Sequence, residues 1–291
     1  MTRIADTLYP SSQPVIAPIE AGNGNEYYVD GNGGDDGNDG MSWNKAFKTL
    51  AFAMAVSHAN IALTNRWALR NTIYISGDVF EEDLTKLAQK TDIVGCGSYN
   101  HHQQPGITGN HVIDTTSYMG CRFINVQFNA AAGVIMTIPT EQSGITFLGC
   151  TFDSGAAATT GILSTASEQL TVKGCRFTGQ FSTAAISIGT GASNRLLIED
   201  NIIESGAIGI LINSGMTCAN SQAIIQRNTF AVVTLVVDDD SSKVMIVNNQ
   251  GRTDAAKEIA TVLDCNEKFC SNNYFGNATA NGIYPALAAI A

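Results

Sequence analysis

The densest charged group in this chain is Asp238-Asp239-Asp240, with Lys243 close behind. Consecutive carboxylates repel one another, so such a run can hold a cation or lift one member's pKa for acid catalysis. The same run also reads as a solvated turn after a strand over 232–237. A second acidic concentration lies in the Gly-rich stretch 30–40, where Asp30, Asn32, Asp35, Asp36, Asn38 and Asp39 supply oxygen ligands of the kind calcium takes. Its spacing lacks the distal Glu of an EF-hand loop, and Asx and Gly turn chemistry accounts for the same residues. A third polar group, Tyr99, Asn100, His101, His102 and Gln103, sits in the stretch 98–111 and offers hydrogen bonds to a sugar from a protruding loop. His101, His102 and His111 have no carboxylate or Cys partner placed beside them, and no two-residue-spaced Cys pair suggests zinc. Residue types and spacing therefore assign no catalytic residues, no cofactor and no metal, and leave the sugar-binding loop as the expected contact surface.

The elements that would position these groups come from a repeat. One short phrase returns about every 25 residues: Gly95-Cys96, Gly120-Cys121, Gly149-Cys150, Gly174-Cys175, Asp200-Asn201, Arg227-Asn228, Asn248-Asn249 and Asn272-Asn273. A fixed period in this range marks a solenoid. Five and three places before the second residue stand Ile145 and Phe147, Leu170 and Val172, Leu196 and Ile198, Ala223 and Ile225, and Val244 and Ile246, which alternate with strand parity. Two places after it come Phe123, Phe152, Phe177, Ile203, Phe230 and Phe275, so the inward pattern restarts across a corner. Gly and Asn suit that corner because a tight turn between strands commonly needs a left-handed backbone. A further strand series follows at 134–136, 161–163, 186–188, 208–212 and 232–237. Equivalent positions of successive turns then stack about 4.8 Å apart. Cys96, Cys121, Cys150 and Cys175 are expected to form one column, continued by Asn201, Asn228, Asn249 and Asn273, with Cys265 and Cys270 the pair most able to form a disulfide.

With these stacked corners and internal aromatic columns, the chain resembles the right-handed parallel β-helix family of pectin lyase-like fold over residues 70–276. The resemblance implies an all-β, single-stranded right-handed parallel β-helix. It says less about activity, because this fold carries lyases, hydrolases, viral spikes and adhesins alike.

Four parts follow in order: an extended docking arm over 1–24, a strand, Asp/Gly loop and capping helix over 25–70, a coil of about eight rungs over 71–276, and a cap or contact tail over 277–291. Phe47, Leu50, Ala51, Met54 and Ala55 predict the amphipathic helix over about 44–59. A helix there can plug the coil, whose first rung otherwise exposes apolar interior and an unpaired edge. In the arm, Arg3 and Asp6 are not followed by an apolar core, and Pro10, Pro14 and Pro18 interrupt the rest, so neither a signal peptide nor a membrane span is expected. A net charge of −10 with 16 basic residues argues against a nucleic-acid surface, since a phosphate footprint needs clustered Lys and Arg.

The lyases of the fold combine calcium-binding carboxylates with an Arg or Lys base, and the hydrolases place Asp residues across neighbouring rungs. Neither set is visible. The resemblance therefore points to a non-enzymatic virion-surface protein (spike, head fibre or capsid decoration) made in the host cytoplasm, homotrimeric, attached to a larger assembly by its arm and able to bind host glycans. The alternative is a secreted polysaccharide lyase or glycoside hydrolase.

Overall fold

Alternating apolar residues, repeated turn after turn, drive parallel strands to stack their inward side chains into continuous columns. The computed structural model describes residues 24–63, 68–97, 103–140, 142–204, 207–218, 223–231, 235–241, 244–252, 263–264, 270–276 and 281–284. One sheet contains ten parallel strands, running from Glu26–Val29 through Asn71–Ile75, Thr91–Gly95, Arg122–Ile124, Thr146–Leu148, Thr171–Lys173, Leu197–Glu199, Ile224–Gln226 and Met245–Val247 to Cys270–Ser271. The second sheet has fifteen strands and forms the other two sides of the coil. Its two sides are continuous through the long strands Gln127–Ile138 and Thr151–Ser164, which bend at register shifts between Ser154 and Ala157 and between Ala158 and Thr160. The three-sided part makes about six turns, and the first sheet extends beyond it toward the N-terminus. The coil of parallel strands expected from the repeat is thus the architecture found, with one antiparallel pairing at its C-terminal end.

Phenylalanine columns fill the coil. Phe123 stacks on Phe147 at 5.5 Å, and Phe128, Phe152 and Phe177 stack at 5.1 and 4.9 Å, with edge contacts between the two columns. All five rings are fully buried. Truncating one such ring to Ala typically costs about 3–5 kcal/mol.

The register corrects one copy of the repeat. Phe123 pairs with Phe147, so Asn125 and Val126 stand at the corner where Gly149 and Cys150 stand one turn later. Gly120-Cys121 belongs instead to a second corner, on the other side of the strand Arg122–Ile124. Among the described residues, left-handed backbone marks two corners of the turn: Lys90, Gly120, Gly144, Gln169 and Arg195 before the first-sheet strand, and Asn125, Gly149, Gly174, Asp200, Arg227, Asn248 and Asn272 after it. Gly120-Cys121-Arg122-Phe123 therefore mimics Gly149-Cys150-Thr151-Phe152, because both corners favour Gly, then an inward residue, then Phe two places on. Cys121 is buried in the column of Thr91 and Ile145. Cys96 keeps the corner register but is exposed. Cys96, Cys121, Cys150, Cys175, Cys218 and Cys270 are free thiols, and Cys265 lies outside the described residues.

At the N-terminal end, Glu26–Val29 pairs in parallel with Asn71–Ile75 and so extends the first sheet by a strand. The helix, α1 (Leu50–Ala62), begins later than the apolar spacing predicts because Thr49 supplies the N-cap, accepting from Phe52 N, and 44–49 is spent on a short 3₁₀ turn and its exit. Its Leu50, Ala53, Met54, Ser57 and Ile61 face the coil, and Ser57 Oγ meets Thr91 Oγ1 at 2.7 Å. Asn71 Nδ2 donates to Ser57 Oγ and Asn60 Oδ1, tying the helix to the same end. Residues 80–90, a polar excursion by composition, instead continue the strand Val79–Glu81 and contain the buried Phe80, Leu84, Leu87 and Ala88. The loop expected over 98–111 is also shorter, because Gly106–Thr108 and His111–Val112 both join the second sheet. At the far end Asn281–Tyr284 pairs antiparallel with Asn273–Gly276.

Candidate functional site

The corner column is the most ordered polar feature of the molecule. Asn201, Asn228, Asn249 and Asn273 are buried, and each Nδ2 donates to the carbonyl of a first-sheet residue one turn earlier: Val172, Ile198, Ile225 and Ile246 respectively. Each Oδ1 accepts the backbone N–H of the corner residue one turn earlier, Cys175 in the case of Asn201, and for the last three also that residue's Nδ2. The cysteine half follows the same rule. Cys150 Sγ lies 3.4 Å from Phe123 O, and Cys175 Sγ 3.4 Å from Phe147 O. A thiol is a weak donor, yet it satisfies the carbonyl that an amide satisfies lower down. Burial pushes the Cys175 thiol well up, as it pushes Cys121 up to about 12, so these sulfurs are inert structural groups rather than nucleophiles.

The outer face of the first sheet carries the charge. Asp92 is buried and takes Arg70 on one oxygen and Arg122 on both, and Arg70 also donates to Gly120 O. Further along, Lys173 and Arg227 both hold Glu199, Gln226 donates to it, and Arg227 also pairs with Asp200. Burial raises Glu199, but Lys173, Gln226 and Arg227 outweigh it and keep the carboxyl below its usual range; Arg227 does the same to Asp200. Groups held ionised between two cations are poor general acids. They join adjacent turns: Arg122 with Asp92, Lys173 with Glu199, and Arg227 with Asp200.

The same face carries an aromatic group near its N-terminal end. Tyr28 and Tyr74 stack at 5.5 Å, and Trp43, 44% exposed, meets Tyr28 edge-on at 5.0 Å. The sequence period does not show this cluster, because Tyr28 and Tyr74 become neighbours only through the extra strand Glu26–Val29.

Residues 93–251 match the profile of the right handed beta helix region, which spans more than half of the chain. The chain belongs to the right-handed β-helix family. No curated protein matches it.

On this β-helix the groups singled out by residue type are dispersed. Tyr99, Asn100, His101 and His102 lie outside the described residues, whereas Gln103 is exposed. Its neighbour Gln104 is tied to the coil, donating through Nε2 to Asn125 Oδ1 and Gly149 O. Asp238 and Asp239 lie within the strand Leu235–Asp239 rather than in a turn; Asp240 is exposed just beyond it, and Lys243 lies outside the described residues.

In the Asp/Gly loop, Asp30 accepts from the N–H groups of Asn32 and Gly33, Asp35 from Gly37, and Asp36 from Lys48, Thr49 and the Thr49 hydroxyl. Asn32 donates to Asp78. These carboxylates shape turns and brace the approach to α1, and the described residues gather no group of three metal-ligating side chains. Among the described residues no helix is long and apolar enough to cross a membrane.

Proposed function

We propose that this β-helix is a structural rod of a larger particle, a virion-surface spike, head fibre or decoration protein, that holds host-surface glycans without cleaving them. The observation that carries this reading is the fate of the buried carboxylates on the first sheet. Asp92 and Glu199 are buried and each held by two cations, so they serve as staples between turns. Polysaccharide lyases and hydrolases need a base or carboxylate free to move a proton. The glycan contact rests on the Trp43, Tyr28 and Tyr74 cluster, which offers amphipathic ring surface beside polar edges, and on the 99–103 loop. Residues 1–24 serve as the docking arm, and threefold closure supplies the symmetric partner copies.

Incubation with acidic polysaccharides tests the reading. Binding weakened by Trp43→Ala, with no new unsaturated or reducing ends, is the expected result. Chain ends released by the wild type and abolished when Asp238, Asp239 and Asp240 become Ala would make the protein an enzyme and overturn it.

A further inference from the structure

Residues 82–89 run without regular structure between the strands Val79–Glu81 and Thr91–Gly95, yet they are fastened along their length: Glu82 N–H donates to Thr108 O at 3.2 Å, Thr85 O accepts from Asp114 N at 2.8 Å, and Asp83 Oδ1 accepts from Asn110 N at 2.8 Å. Leu84 N–H donates to His111 Nδ1 at 3.1 Å, and Gln89 N–H donates to His58 Nδ1 at 3.4 Å. The Glu82 carboxylate accepts from Leu50 N and Ala51 N, both at 2.8 Å, and so closes the first turn of α1. Leu84, Leu87 and Ala88 are buried between these points. A ring nitrogen that accepts a hydrogen bond must be unprotonated, so both imidazoles carry their proton on Nε2.

We propose that residues 82–89 form an acid-released latch between α1 and the mouth of the coil, opened when His111 takes up a second proton. Protonated, its Nδ1 becomes a donor facing another donor, and the Leu84 amide loses its acceptor. His111 is fully buried against the edge of Phe128, and its Nε2 has no partner among the described residues. Asp83 and the Ile107 carbonyl face it and favour the charge, but burial prevails and lowers its pKa to about 4. This ring therefore gains its proton most readily once the segment has moved and water reaches it, which couples protonation to opening. His58 lies edge-on to Tyr118, whose hydroxyl is bonded by Asp114. Glu82, facing Asp36 across the helix start, is raised by burial and takes its own proton early, which weakens its grip on α1. Opening exposes Leu84, Leu87 and Ala88 and loosens the helix that covers the end of the coil.

Amide hydrogen exchange of the full chain at about pH 7 and about pH 4.5, corrected for intrinsic rates, tests the latch. Protection at Leu84, Gln89 and the first turn of α1 is expected to fall by about tenfold or more in acid, while Ala184–Ile188 and Leu197–Glu199 keep theirs. In the variant His111→Asn, an Oδ1 replaces the Nδ1 and cannot be protonated, so acid should leave protection at Leu84 and Gln89 intact, whereas the first turn of α1 still loosens as Glu82 takes its proton. Unchanged wild-type protection, a loss spread evenly over the coil, or the same loss at Leu84 and Gln89 in the His111→Asn variant would overturn the proposal. Should this variant fail to fold, the local against coil-wide comparison in the wild type decides on the same criteria.

Discussion

Cys150 and Asn228 meet the same demand with different chemistry: a carbonyl from the preceding turn points into the corner and needs a donor. Asn228 answers with an amide that also receives from Asn201, and Cys150 with a thiol. Replacing Cys150 by Asn should therefore be nearly neutral, within about 1 kcal/mol, because the lower column shows the amide fits. Cys150→Leu brings no donor and more volume, and overpacking of this kind costs about 1–3 kcal/mol. Urea midpoints of the two variants check the order. At this scale the sequence was legible where one residue type repeats with one spacing, as in the Asn column. It misled at Cys121, where a second left-handed corner produces the same Gly-Cys-x-Phe phrase. Trp43, Tyr28 and Tyr74 were not legible as a group, since their meeting depends on a strand paired from 46 residues away.

Among the elements, α1 and the 79–90 segment close the coil, and their bonds carry its acid dependence. His111 is lowered in the folded chain from 6.5 to about 4, so the unfolded chain binds the proton first. Its contribution to stability is present above about pH 6.5 and lost as pH falls toward 4, about 3 kcal/mol in all. Glu199 and Asp200, held below the usual carboxylate range, lose theirs on further acidification through their folded pKa values. Glu82 runs the other way: raised by burial, it takes a proton more readily folded than unfolded and offsets part of the loss. Denaturant unfolding across this range should show stability dropping from pH 6.5 to 4 in the wild type and a flatter profile in His111→Asn; equal slopes would remove His111 as the source. The helix was foreseen from its apolar spacing, but its start was set by Thr49 and by the carboxylates of Asp36 and Glu82, and the Glu82 contact, 32 residues away, leaves no local pattern to read.

For the whole molecule, the repeat alone carried the architecture, because every turn restates the same inward alternation. Partners leave a fainter mark. The outer column of the first sheet places Leu197, Ile224 and Met245 in register, with Met245 44% exposed, beside the Lys173, Glu199 and Arg227 pairs. Rods that lay such a row against copies of themselves bury it, and a closed ring satisfies every copy at once. The central claim, a structural rod that works in symmetric copies, is met most directly by light scattering on the full chain in solution. A stable mass of three chains is the predicted result, reduced when Met245 and Ile224 become Lys. A monomer at every concentration, unchanged by those substitutions, would contradict it.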